Sequence, residues 1–293
     1  MRIKNFKIFT LLILTLFCRN VYSQQFSESH IRELQQNIDT VLQSVISNGI
    51  TVSVKIMHAD YNKILYELNP EIKVIPASIT KIVTTACAFS KLGQSYNFKT
   101  VIYTDDNNIN DGVVNGNIYL KGFGDPDLNS SDIEHLAGIL VNKNIKEITG
   151  NVVADESYFD TDYYTLANYY KGDTGPSYWP YINALPLNKN EGYSNPALSA
   201  AELLSTILTS SGVTVSGTSI VGVTPKASKE IAQISHTIYD VIANTNKESN
   251  NHSAITIFKL LGAKIKSNPG TIEKGQEAIE QFLTDIGIDR YSY

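Results

Sequence analysis

Pro76-Ala77-Ser78-Ile79-Thr80-Lys81, PASITK, opens an apolar-periodic stretch that ends at Gly93. Ile79, Ile82, Val83, Ala86, Phe89 and Leu92 recur at helical spacing, which predicts a helix with this stripe against a core. Ser78 and Lys81 lie one turn apart and are expected to share a cleft. Pro76 stiffens the approach, and a serine in the first turn sits in the field of unpaired backbone N–H groups. A hydroxyl with an amine in reach is a nucleophile with its base. The same S-x-x-K spacing also describes a capping serine and a solvated lysine, so the surrounding chain has to decide.

On the N-terminal side, Ile31, Leu34, Ile38, Val41, Leu42, Val45 and Ile46 predict an amphipathic helix ending near Gly49. Alternation over 50–57, a turn at Asp60-Tyr61-Asn62 and a short run over 63–68 predict a hairpin. From Tyr96 the pattern changes to strand-like pieces at 99–103, 113–120 and 150–154, separated by Asn, Asp and Gly turns. One helix is expected from Ser131, with Glu134 completing a capping box. Another is expected from Asn195 as cap and Pro196 as first residue, stopping at Gly212. Residues 96–229 thus read as an α/β region inserted between a first part, 24–95, and a second part, 230–293. After Ile231 helical periodicity resumes through Ile238, Val241 and Ile242. The polar cluster 244–251 follows, then an apolar face over 254–261 and a final helix over 271–286.

The chain has 293 residues and a formal charge of −5. Arg2, Lys4 and Lys7 precede an apolar run over 8–18 that is too short to span a membrane, and Val21 and Ser23 suit signal cleavage. Residues 1–23 read as a signal peptide, so an exported protein is expected, periplasmic or extracellular and at most peripherally attached to the envelope. Removing its four basic side chains leaves (24 − 4) − 29 = −9, which gives no footprint for nucleic acid. Cys87 is then the one remaining cysteine, expected as a buried thiol. Seventeen tyrosines, many between Tyr158 and Tyr193, give that part an aromatic and polar character. Gly122 to Leu128, GFGDPDL, lacks the Lys-Ser/Thr of a phosphate loop and reads as a turn. The five histidines are scattered without zinc-type grouping, so neither metal nor cofactor is expected.

The second polar cluster contains Ser249-Asn250-Asn251 between two apolar helices. A second hydroxyl relays protons between an amine and a leaving group, and a carboxamide holds both a lysine and a substrate amide. Alone it reads as a loop or helix cap. Together, VSVKIMHADYNKILYELNP, VIPASITKIVTTACAFSKLG, YLKGFGDPDL, ITGNVVADESYFD and NTNKESNNHSAITIFKLLG make the chain resemble the penicillin-binding serine D-alanyl-D-alanine carboxypeptidases and endopeptidases with a large insertion between their first two motifs. The resemblance implies an α+β fold, a transpeptidase-like antiparallel sheet flanked by helices and interrupted by the inserted α/β region.

It also implies peptidoglycan stem peptides as substrate and β-lactams as covalent inhibitors. Ser78 would be acylated, Lys81 would act as its base, Ser249 would shuttle the proton and Asn251 would position lysine and substrate. Two departures stand out. Ile255 occupies a position where the family usually has an acid, and no Lys-Thr-Gly or Lys-Ser-Gly tripeptide occurs. The chain therefore reads as C-terminally truncated, with a noncatalytic envelope module that binds peptidoglycan or protein as the alternative.

Overall fold

The computed structural model of the chain describes residues 27–164 and 181–292. The expected signal peptide and much of the tyrosine-rich stretch lie outside the described residues. Two compact units divide at residue 75.

In the first unit, helix α1 (Glu28–Ser47) starts where the Ser27 hydroxyl accepts from the His30 N–H. Strands β1 (Val54–His58) and β2 (Lys63–Leu68) pair antiparallel, Val54 opposite Leu68. Gln35 donates to the Leu65 carbonyl and Tyr66 to Asp39, which fastens α1 to β2. The strand expected from Ile50 begins only at Val54. The chain turns away at Asn69, at φ 51°, and its side chain takes the Val52 carbonyl that a longer ladder would have used.

The second unit begins with a 3-10 turn, Ala77–Ile79, that runs into α2 (Thr80–Leu92). Here the expected stripe is corrected. Ile79 and Ile82 are 68% and 57% exposed, whereas Lys81, Thr85, Cys87 and Ala88 are buried. The buried face follows the 4-then-3 spacing of Lys81, Thr85 and Ala88, because that face meets the two helices that flank Ser249.

A five-stranded sheet follows, made of β3 (Asn97–Thr104), β5 (Ile118–Gly122), β7 (Val152–Asp155), β9 (Ser219–Val221) and β10 (Lys229–Thr237). Its order is β10-β3-β5-β7-β9, antiparallel from β10 to β5 and parallel from β5 to β9. A small parallel sheet joins β4 (Val113–Val114), β6 (Glu147–Ile148) and β8 (Thr214–Val215). Helices α3 (Ser130–Asn142) and α4 (Pro196–Ser210) pack Leu136, Leu140, Leu204 and Leu208 against Ile102 and Leu120 of the larger sheet. This mixed α/β layer is the largest sheet among the described residues. The antiparallel pairing of the first unit is confined to the β1–β2 hairpin.

Three local readings shift for identifiable reasons. The run 113–120 divides between two sheets, because Asp105 and Asp106 accept from the N–H groups of Asn117 and Asn115 and pin a turn there. The capping box of α3 is built by Asn129 and Asp132 rather than Ser131 and Glu134, the Asn129 side chain accepting from Ser131 N–H and the Asp132 side chain from Asn129 N–H. Residues 231–237, expected to begin a helical stretch, form β10. A bulge between Glu230 and Ala232 inserts one residue, so Ile231 and Ile234 acquire a helix-like spacing within a strand.

After β10 come α5 (Ile238–Lys247), α6 (Asn251–Leu261), a π-helical turn (Gly262–Lys266) and α7 (Ile272–Asp285). With α2 they enclose a second core of Cys87, Phe98, Val241, Ile257, Leu260 and Phe282. Burial raises the Cys87 thiol to about 11, so it stays protonated and inert.

Candidate active site

Lys81 is where the two motifs meet. Its Nζ donates to Ser78 Oγ at 2.8 Å and reaches Ser249 Oγ at 3.5 Å, the outer edge of hydrogen bonding. The amine is shared between two hydroxyls that lie far apart in sequence. Lys81 is 8% exposed, and burial lowers its proton affinity below that of an ordinary lysine. The direction favours a neutral amine, the form that accepts a proton.

Both serines are held on unusual backbone. Ala77, just before Ser78, sits at φ 46°, and Ser249 at φ 50°. A left-handed non-glycine residue costs about 1–3 kcal/mol and persists only where its surroundings fix it. Thr80 donates to the Ala77 carbonyl and closes the turn under Ser78. At the other end, Ser249 N–H meets the Asn246 carbonyl and Asn250 N–H meets the Thr245 carbonyl. This double closure ends α5 as a Schellman motif, whose left-handed position is usually glycine. Here it holds Ser249, which aims a hydroxyl at Lys81.

Asn250 turns the other way and caps α6, accepting from Ser253 N–H. Asn251 is the first residue of that helix and half-buried. Of the four expected site residues, Ser78, Lys81 and Ser249 are within hydrogen-bond reach, and Asn251 opens the adjoining helix two residues on. Thr85 adds a contact that the motif spacing did not announce. Its hydroxyl donates to the Lys81 carbonyl and accepts from Asn246 Nδ2 at 3.1 Å, which locks α2 to α5 one turn behind the lysine. A threonine among apolar helix residues was the available signal. His252 is buried, and burial with Lys189 nearby pushes its pKa down to about 3, so it packs as a neutral ring.

The GFGDPDL turn is tied to α5 by Asn244, which donates to Asp127, and is anchored electrostatically. Asp125 is fully buried and its Oδ2 is 2.8 Å from His236 Nδ1, while Asp132 lies 3.6 Å from Nε2. The hydrogen bond to Asp125, helped by Asp132 and Asp127 and opposed by burial, raises His236 to about 9. A folded pKa above the free value of about 6.5 means stabilisation that is complete below pH 6.5 and lost as pH rises through about 9. His236→Gln is expected to lower stability by on the order of 2 kcal/mol at pH 6. Melting curves of both proteins from pH 6 to 10 should converge above pH 9, and a constant gap would refute the charged tie.

The D-Ala-D-Ala carboxypeptidase 3 (S13) family matches residues 34–195 and 192–292. A D-alanyl-D-alanine carboxypeptidase from an Actinomadura species is 26% identical over 167 residues, 57% of this chain and 31% of the relative. DacB of Haemophilus influenzae is 28% identical over 116 residues, 40% of this chain and 24% of the relative. The matched stretch thus spans a quarter to a third of these curated relatives. The crystal structure of penicillin binding protein 4 (dacB) from Haemophilus influenzae superposes with a TM-score of 0.66 at 18% identity, covering 81% of this chain and 68% of that one. The same protein complexed with a β-lactam gives 0.61 at 20% identity, over 82% and 68%. With matches over most of its length, the chain belongs to the D-Ala-D-Ala carboxypeptidase 3 (S13) family.

Proposed function

We propose that this chain is a serine-type D-alanyl-D-alanine carboxypeptidase or endopeptidase that acts on peptidoglycan stem peptides outside the cytoplasm. The single observation behind this reading is the Lys81 amine shared by the Ser78 and Ser249 hydroxyls. In this scheme Ser78 Oγ attacks the carbonyl carbon of the penultimate D-alanine, and its proton passes to Lys81. The tetrahedral adduct collapses as the C–N bond breaks, and the leaving amine takes that proton by way of Ser249. Water then attacks the ester, and the same residues return a proton to Ser78 Oγ. Asn251 orients lysine and substrate amide. Splitting one amide cleavage into two acyl transfers lowers each barrier, and a positioned base contributes about 10²–10⁴ in rate.

The same acyl chemistry makes β-lactams covalent inhibitors. The organisation that goes with it is a transpeptidase-like part over 24–95 and 230–293, with an α/β region over 96–229 inserted between its motifs and an export signal ahead of both. A labelled β-lactam is expected to leave a covalent adduct on the peptide containing Ser78, and a peptide ending in D-alanyl-D-alanine is expected to release D-alanine. A cooperatively folded protein that gives neither would sink the proposal. A second reading, a noncatalytic wall-binding module, rests on the lack of a Lys-Thr/Ser-Gly tripeptide in these 293 residues. Its signature is saturable binding of wall peptides that Ser78→Ala leaves intact.

A further inference from the structure

The face of the five-stranded sheet opposite α3 and α4 carries a cluster that the Ser78 chemistry does not use. Alternation along β3 and β5 puts Lys99, Tyr103, Lys121 and Phe123 on this face, with Val101 opposite Lys121 in the ladder. Lys99 Nζ lies 5.2 Å and Lys121 Nζ 5.6 Å from the centre of the Phe123 ring. From the other side, the π-helical turn brings Lys264 Nζ to 5.5 Å from Tyr96 and 6.0 Å from Tyr158. Phe123 and Tyr158 pack edge to face at 5.1 Å, so three lysines surround one aromatic surface.

These lysines are not equivalent. Lys121 is neutralised by Asp155 at 2.8 Å. Lys99 and Lys264 have no carboxylate partner among the described residues, and neither do the hydroxyls of Tyr96 and Tyr158 hydrogen-bond to any of them. Partial burial against the aromatic rings, and secondarily the charge of Lys99, lower the Lys264 amine. Two lysines without a carboxylate partner beside the Phe123–Tyr158 pair, together with two tyrosine hydroxyls, offer donors to an anion. The aromatic edges add a surface for an apolar ring face.

We propose that Lys99, Lys264, Tyr96, Phe123 and Tyr158 form a saccharide subsite, in which an N-acetylmuramic acid unit of the wall glycan that carries no stem peptide sets its free lactyl carboxylate against the lysines and its ring on the aromatic surface. A wall sugar, rather than any other acid, is chosen on the strength of the peptidoglycan reading above. The subsite itself requires nothing of Ser78. Its charge complements the ligand locally within an acidic protein, and π-turns of this kind recur at functional positions.

The test is calorimetric titration of the Ser78→Ala chain with the disaccharide of N-acetylglucosamine and N-acetylmuramic acid bearing a free lactyl carboxylate. Saturable binding is expected, weakened about tenfold or more by Lys99→Gln with Lys264→Gln, and weakened similarly when the uncharged N-acetylglucosamine dimer replaces the acid. Lys264→Glu, a reversal at an exposed position, should abolish binding should the double variant fail to fold. Binding that is absent in the parent, equal for the uncharged dimer, unchanged in these variants, or displaced equally by inorganic phosphate overturns the proposal. β-Lactam acylation of the parent chain, with Ser78 and both lysines intact, separates the two readings. Acylation of the parent with no sugar binding to the Ser78→Ala chain removes the subsite alone, and sugar binding to that chain without acylation of the parent removes the Ser78 reading alone.

Discussion

Lys81→Met is expected to slow acylation of Ser78 by a labelled or chromogenic β-lactam by about 10³-fold, the middle of the range for loss of a general base. Methionine matches the length of the lysine stem, so the substitution removes the proton acceptor and little packing. It also strips Ser249 of its path to Ser78. In the parent protein the acylation rate should rise with pH as the Lys81 amine loses its proton, with an inflection below that of an ordinary lysine because burial lowers it. The variant should lose that inflection.

The stability change has the opposite sign. A lysine whose folded pKa lies below its unfolded pKa opposes folding while it is charged, fully so below the folded value and no longer above the unfolded one. Lys81→Met should therefore melt no lower than the parent at neutral pH. A variant that acylates within about tenfold of the parent rate would show that Lys81 is not the base.

The proximity of these residues was legible in part, because Ser78 and Lys81 lie one helical turn apart and Ser249 stands in a polar cluster between two apolar helices, each a short local pattern. The supports around them have none. Thr85 meets Asn246, and His236 meets Asp125, across more than a hundred intervening positions, and neither partner names the other in sequence. The exposed side of α2 shows the same limit. Ile79 and Ile82 read as core by periodicity, yet burial follows Lys81 and Thr85, because a shared amine and a threonine lock turn that face inward. The bulge in β10 disguised a strand as helix by moving one residue, and only the register against β3 exposes it. Helix ends were easier where one side chain caps its own first turn, as Asn195 does for α4 and Thr271 for α7.

Lys259→Ala is expected to produce the largest loss of stability, about 3 kcal/mol, the lower end for stripping one partner from a buried ion pair because the Asp160 carboxylate keeps part of its surface in water. Lys259 is fully buried on α6, with Nζ 2.6 Å from Asp160 Oδ1 and 2.8 Å from the Asp162 carbonyl. It joins the helix that begins at Asn251 to the segment that leaves β7. Alanine takes the lysine donor away from the Asp160 carboxylate and the Asp162 carbonyl and opens a void the length of the lysine stem. Lys259→Met fills the void and restores no donor, so it should recover only the packing share. Adding Asp160→Asn to Lys259→Met removes the stranded charge and should regain stability, which makes the pair non-additive. Urea unfolding of the parent, Lys259→Met, Asp160→Asn and the double variant measures that coupling. Additive losses would mean that the two side chains act independently despite their contact. Because α6 carries Asn251 at its start, the same substitution should also reduce the fraction of chains that acylate at Ser78, in step with the fraction folded at each urea concentration.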